Sequence, residues 1–220
     1  MCSSPWQLRT QNSQNVCSKP KYKRHLETLR SLKLAGGQTF LLTPPREERR
    51  CLRLFFQHGV ARLSGSFGDQ YSDITLAFCG DPEGGWLRLP DDSNFLLEAL
   101  TESSVELHYA DQCPVDQDLV SQWLFDLHLV RHPVGSEARL VSLLQLLVSR
   151  FGIRRGDGYL LPFSLGHARM AELIGATRST VTRQITILRK QDDLQFSDPE
   201  GSFLLSVRLM EASPTMKISL

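Results

Sequence analysis

The hydrophobic positions of this chain change their period near residue 118. Between residues 38 and 110, short apolar runs alternate with polar positions, and Gly, Pro or Asp separates them. The runs are QTFLL, CLRLFF, VARLSGSF, DITLAF, GWLRL, FLLEAL and SVELHYA. Because successive side chains of a strand point to opposite faces, this pattern predicts a compact antiparallel sandwich or barrel.

Helical spacing begins with the segment DLVSQWLFDLHLVRH, for which Asp116 or Asp118 is available as the N-cap. Its apolar positions are Leu119, Trp123, Leu124 and Leu127. A second helix is predicted to begin at Ser136 and to end at Gly152. Strands followed by helices predict an α+β chain of two domains, with the boundary between residues 132 and 136.

A helix-turn-helix is predicted within SLGHARMAELIGATRSTVTRQITILRK. Ser164 is the expected N-cap of the first helix, Gly175 allows the left-handed turn, and Ala176 or Thr177 heads the second helix. The inward positions are expected to be Leu165, Met170, Leu173 and Ile174, then Val181, Ile185 and Leu188. The following segment, QDDLQFSDPEGSFLLSV, predicts a hairpin wing.

The formal net charge of +1 conceals strong segregation along the chain. Residues 61–131 carry a net charge of −10, whereas residues 132–190 carry +6. The single acid between Ser164 and Lys190 is Glu172. A basic segment that coincides with a helix-turn-helix favours double-stranded DNA as the partner.

Arg178, Ser179 and Arg183 fall outside the apolar stripe of the second helix and are predicted to contact bases. Arginine can donate two hydrogen bonds to guanine, although either arginine alone has the plainer interpretation of a solvated surface charge. The predicted contacts to the DNA backbone are His167, Arg169, Thr177, Thr180 and Thr182.

The segment RLVSLLQLLVSRFGI…DGYLLPFSLGHARMAELIGATRSTVTRQITILRK resembles the winged helix-turn-helix of the Crp/Fnr transcription regulators. The resemblance is specific over residues 135–190 and weak upstream, in HGVARLS, DITLAF and SVELH. Residues 1–25 are polar and aperiodic, which predicts a disordered basic N-terminus. The resemblance implies a cyclic-nucleotide-binding-like β-roll over 26–115. It also implies a short dimerisation helix over 116–132 and a winged helix-turn-helix over 133–220.

The resemblance further implies a homodimeric activator that recruits RNA polymerase to palindromic promoters in a response to a nutrient, either nitrogen or phosphate. The family pattern R-x-x-V-x-R matches Arg178, Val181 and Arg183. Ser179 stands where members that respond to cyclic AMP carry Glu, which favours a GTA…TAC palindrome over TGTGA…TCACA. The expected dimer contacts are Trp123, Leu124 and Leu127.

Cyclic AMP is not the expected effector. Asp92 and Ser93 stand where nucleotide-binding members have Arg and Ser, and an aspartate repels a phosphate. If Arg88 points inward, 2-oxoglutarate or another small anion can bind. If Arg88 points outward, which we favour, Trp86 and Phe95 are expected to fill the pocket.

The remaining chemistry is sparse. The cysteines are odd in number and lack a CxxC pair, which predicts isolated thiols in a reducing cytoplasm, without a zinc or iron–sulfur site. They are Cys2, Cys17, Cys51, Cys79 and Cys113. No apolar run is long enough to cross a membrane, and GxSxG, P-loop and HExxH motifs of enzymes are missing. The alternative is a protein-interaction module with a degenerate helix-turn-helix and no specific operator.

Overall fold

The structure is a computed structural model that describes residues 27–43, 50–67, 71–81, 84–89, 93–114, 118–197 and 201–212. The tail predicted over 1–25 lies outside the described residues. So do Asp92, Asp116 and two of the cysteines, Cys2 and Cys17.

Among the described residues, eight strands form the N-terminal half. They are β1 (Glu27–Leu34), β2 (Thr39–Leu42), β3 (Cys51–His58), β4 (Val60–Phe67), β5 (Tyr71–Gly80), β6 (Gly85–Arg88), β7 (Ser93–Ala99) and β8 (Ser103–Ala110). They pair antiparallel in two four-stranded sheets of order β1-β8-β3-β6 and β2-β7-β4-β5. Along β3, Leu52, Leu54 and Phe56 are buried while Phe55 is exposed, so the alternation in the sequence marks the face that packs inward. The predicted antiparallel sandwich is confirmed.

The C-terminal half contains helices and a third antiparallel sheet. Its elements are α1 (Leu119–Arg131), α2 (Ser136–Phe151), β9 (Ile153–Arg155), β10 (Gly158–Leu161), α3 (His167–Ile174), α4 (Arg178–Lys190), β11 (Leu194–Ser197), β12 (Ser202–Ser206) and α5 (Val207–Glu211). The third sheet has the order β11-β12-β10-β9, so the predicted wing hairpin gains two strands that the periodicity missed. No helix among the described residues is long and apolar enough to span a bilayer.

An aromatic cluster joins the two halves. The Trp123 ring of α1 lies 5.2 Å from Phe78 of β5 and 6.1 Å from Phe151 of α2, measured between ring centroids. Phe163 lies 6.4 Å from Phe78 and closes the group. The guanidinium of Arg150 stacks 5.1 Å from the Trp123 ring. The strands and the helices therefore share one continuous core.

The predicted dimer face is wrong for two of its three residues. Trp123 is fully buried and Leu127 is 7% exposed, because both pack into the core of the same chain. Only Leu124 is exposed, and Phe125 and Leu129 lie beside it on the outer side of α1. The helix is apolar on both faces, so spacing alone did not show which face meets the chain's own core.

The cysteine prediction is also partly wrong. Cys51 at the start of β3 and Cys113 form a disulfide with a Cα–Cα distance of 5.3 Å. The two residues are 62 positions apart, and a pairing over such a separation has no local signal in the sequence. Cys79 is a buried free thiol, and burial raises its pKa.

Candidate nucleic-acid interface

A left-handed turn at Gly175 sets the angle between α3 and α4. Gly175 has φ = +64°, and the amide of Ala176 donates to the carbonyl of Ala171 at 2.9 Å, which satisfies the end of α3. A glycine occupies this conformation without the steric cost of a Cβ. The start of α3 differs from expectation, because the N-cap is Gly166 and not Ser164.

The carbonyl groups at the end of α3 are held by an arginine of α1. Arg131 donates from Nε to the carbonyl of Leu173 at 2.8 Å and from Nη2 to that of Glu172 at 2.7 Å. A positive charge at a helix C-terminus is attracted to the negative end of the helix dipole and stabilises the helix. This contact ties α3 to α1, and sequence reasoning did not find it.

The apolar stripe of α4 packs inward as predicted. Val181, Ile185 and Leu188 are buried against the core, together with Met170 of α3. The opposite side of α4 faces solvent. Thr177 caps this helix by accepting a hydrogen bond from the amide of Thr180 at 3.2 Å.

The exposed side of α4 carries the residues predicted to contact bases. Arg178, Ser179 and Arg183 all face solvent. Within the described part of the chain, neither guanidinium has an ion-pair or hydrogen-bond partner. Thr186 and Lys190 extend the same exposed face, and sequence reasoning missed both, although their spacing from Arg183 places them there.

Several hydroxyl groups lie on the same helix as the two arginines. The Thr177 hydroxyl lies 3.0 Å from that of Ser179 and 2.8 Å from that of Thr180. Thr182 donates to the carbonyl of Arg178 at 2.9 Å, and its oxygen lies 2.8 Å from Nδ1 of His167. The predicted residues thus form two polar sets, one of Thr177, Ser179 and Thr180 at the start of α4 and one of Thr182 with His167 at the start of α3.

Arg169 belongs to neither set, and its predicted contact with the DNA backbone is not supported by its position. Its guanidinium is ion-paired with Asp73 of β5 and donates to Glu172 at 2.7 Å. Burial alone lowers the pKa of Arg169, but the hydrogen bonds to these two carboxylates outweigh it and raise that pKa. Arg169 therefore faces the β-roll, where Asp73 pairs with it, and Glu172 of its own helix also pairs with its guanidinium.

The wing uses one of its acids internally. Asp193 is buried, accepts from Ser206 at 2.6 Å and accepts from Arg208 at 2.5 Å. Burial alone raises the pKa of Asp193, but these hydrogen bonds outweigh it and lower that pKa. The guanidinium of Arg189 on α4 lies 5.1 Å from the centre of the Phe196 ring on β11. Asp193 therefore presents no unpaired charge to a bound polyanion.

The residues discussed for an effector pocket lie apart. Arg88 is exposed, as favoured above. Trp86 and Phe95 are both buried, but Trp86 packs with Cys51 and Cys113 whereas Phe95 packs in the main core. The idea that these two rings fill a common pocket is therefore wrong. Among the described residues, no group of three His, Cys, Asp or Glu side chains is placed to hold a metal ion.

A β-roll followed by a winged helix-turn-helix is the class of architecture that these elements define. Residues 138–199 match the family model of the Crp-like helix-turn-helix domain. The resemblance to Crp/Fnr proteins proposed from sequence is confirmed at this level.

The same segment is similar to curated regulators of known name. It is 45% identical over 62 residues to the global nitrogen regulator of Synechococcus elongatus, covering 28% of this chain and 27% of that protein. The global nitrogen regulator of Nostoc sp. is 43% identical over 63 residues, covering 29% and 27%. The match thus spans about a quarter of the length of these relatives.

Solved structures extend the likeness to the whole fold. A CRP-family transcriptional regulator of Thermus thermophilus aligns with a TM-score of 0.57 at 16% identity, covering 84% of this chain and 99% of that chain. FixK2 from Bradyrhizobium japonicum aligns with a TM-score of 0.54 at 19% identity, covering 84% and 98%. At such identities the alignments show a shared fold.

Proposed function

We propose that this chain is a sequence-specific, DNA-binding transcription regulator that acts in the cytoplasm. The observation that carries the proposal is the exposed face of α4, where Arg178 and Arg183 have no partner among the described residues. The match of residues 138–199 to a Crp-like helix-turn-helix domain supports it. A recognition helix in this motif enters the major groove with its N-terminal residues against the base edges.

The chemistry of this face suits guanine in a phosphate-lined groove. Each free guanidinium can donate two hydrogen bonds to O6 and N7 of a guanine. The hydroxyls of Thr177 and Thr180 lie at the start of α4, where they can donate to phosphates. Thr182 can donate to a phosphate if its hydroxyl turns away from the carbonyl of Arg178. Ser179 brings no carboxylate to accept from cytosine, so we propose a GTA…TAC palindrome as the operator.

We further propose that the regulator is a homodimer that covers both halves of the palindrome. The exposed apolar side of α1 supports this, because Leu124, Phe125 and Leu129 are 50%, 64% and 36% exposed. Isolated exposed apolar residues are common, but three together on one helix mark an interaction face. The proposed twofold dimer therefore forms through Leu124, Phe125 and Leu129, and not through Trp123 and Leu127.

The biological role is proposed by analogy with the named relatives. The global nitrogen regulators are similar to residues of this chain within the helix-turn-helix segment, which supports a response to nitrogen; a response to phosphate is the alternative that we keep. Activation through RNA polymerase belongs to the same proposal. For the effector, we propose that cyclic AMP does not bind, and that a small anion such as 2-oxoglutarate is the candidate to test.

The operator can be identified without assuming its sequence. Repeated selection from a random duplex library should enrich a twofold-symmetric site whose half-sites contain G and lie about one helical turn apart. Enrichment of unrelated sequences would favour the interaction module with a degenerate helix-turn-helix. The variant in which Arg178 and Arg183 are both alanine is the matched control and should enrich nothing.

A further inference from the structure

A polar network ties the helix-turn-helix to the β-roll. The carboxylate of Asp73 on β5 lies between two guanidinium groups, those of Arg62 on β4 and Arg169 on α3. The Arg62 contact measures 2.7 Å. Arg62 is 4% exposed, and Glu98 of β7 completes its neutralisation at 2.6 Å.

Glu172 of α3 makes the reciprocal contact. Its Oε1 accepts the backbone amide of Thr75 on β5 at 2.8 Å, and its Oε2 accepts from Arg169 at 2.7 Å. The carbonyl of Asp73 accepts from Arg169 at 2.8 Å. Both backbone and side chains of β5 are therefore bonded to α3.

The backbone of β5 is distorted at this contact. Asp73 has φ = +59°, which is uncommon for a residue other than glycine. Between Thr75 and Ala77 the pairing with β4 shifts register, which is a bulge. A bulge re-aims side chains, and a strained residue persists where its surroundings fix it. The distortion is thus explained by the bonds that this segment makes to α3.

An open cleft lies beside the network. A cavity of about 420 Å³ separates Arg62, Glu98 and Leu100 of the β-roll from Ser164 and Gly166 before α3. Beside this cleft, the ion pairs and hydrogen bonds described above join α3 to β5.

We propose that this network is a latch that fixes the orientation of the helix-turn-helix on the β-roll and so sets the spacing of the two recognition helices in the dimer. The inference rests on the proposed DNA-binding function. The latch leaves Arg178 and Arg183 exposed, so it does not cover the reading face. A fixed orientation favours a palindrome of one spacing, because each recognition helix must meet its own half-site.

The first test needs no DNA. The exchange rate of the Thr75 amide with solvent, measured by NMR, reports the hydrogen bond to Glu172 directly. In Arg169→Gln this rate should rise by about tenfold, a typical size for coupling between sites, while the amide of Ala77 in the same strand is unchanged. Arg208→Gln, which removes the ion pair between α5 and Asp193 beside the wing, is the matched control and should change neither rate. Unchanged exchange at Thr75 in Arg169→Gln would overturn the latch.

The second test uses two DNA duplexes, the full palindrome and a single half-site. Arg169→Gln should weaken binding to the palindrome by about tenfold and leave binding to the half-site unaltered. The difference in affinity between palindromes of different spacer length should also become smaller. Equal losses on both duplexes would show a direct DNA contact and would contradict the latch. If Arg169→Gln fails to fold, Asp73→Asn serves, because asparagine tolerates positive φ. Absence of any operator would defeat the proposed function, while the Thr75 exchange rate would still decide the latch.

Discussion

Replacing Phe125 by alanine should dissociate the proposed dimer. Phe125 is 64% exposed on the outer side of α1, next to Leu124. A phenylalanine offers on the order of 200 Å² of surface, so an interface here can bury about 130 Å² of it. Because alanine has a smaller side chain, the interface would bury about 80 Å² less apolar surface. At about 25 cal/mol per Å², this loss weakens dimerisation by about 2 kcal/mol per subunit. With two copies in a dimer, the loss is about 4 kcal/mol, or roughly a thousandfold in the dissociation constant.

Sedimentation velocity over a concentration series measures this constant directly. Phe55→Ala is the matched control, because Phe55 is also exposed, at 46%, but lies on β3. The control should retain the wild-type dissociation constant. An unchanged constant in Phe125→Ala, or a wild-type monomer that binds an intact palindrome with full affinity, would refute the assignment of this face.

Three further predictions concern DNA specificity, pH and the effector. Arg178→Ala or Arg183→Ala should cost about 1–3 kcal/mol on the best operator and much less on random duplex in anisotropy titrations; equal losses would identify phosphate contacts. Asp73 and Asp193 have lowered pKa values in the folded chain, so their stabilisation is complete above the unfolded value of 3.8 and is lost as pH falls through the folded values. In urea unfolding experiments, the free energy of unfolding of Asp193→Asn should therefore fall less at acid pH than that of the wild type. Identical pH profiles for the two proteins would contradict this prediction. Calorimetry with millimolar cyclic AMP should show only heat of dilution, whereas micromolar binding that tightened operator affinity would contradict the proposal; titration with 2-oxoglutarate tests the small-anion alternative.

Local signals in the sequence predicted the helix-turn-helix closely. Gly175 has the left-handed conformation that its position required, and Thr177 caps α4. The alternation in β3 likewise marked its buried face. These features depend on residues within a few positions of one another, so a single sequence contains their cause.

Contacts between distant segments had no such signal. Asp73 and Arg169 are 96 positions apart, and a lone arginine on a helix resembles a DNA contact until its partner is placed. The bond between Cys51 and Cys113 is hidden for the same reason. On α1, Trp123 and Phe125 lie on opposite faces that are both apolar, so the pattern did not show which face the core takes.

The central claim is that α4 reads DNA sequence, and one comparison of affinities tests it most directly. Fluorescence anisotropy at about 0.15 M salt should be recorded with a GTA…TAC palindrome and with a scrambled duplex of equal length and composition. Because specific regulators bind their sites about 10³-fold or more tighter than other DNA, we expect a ratio of at least that size. Weak binding of equal strength to both duplexes would contradict the account.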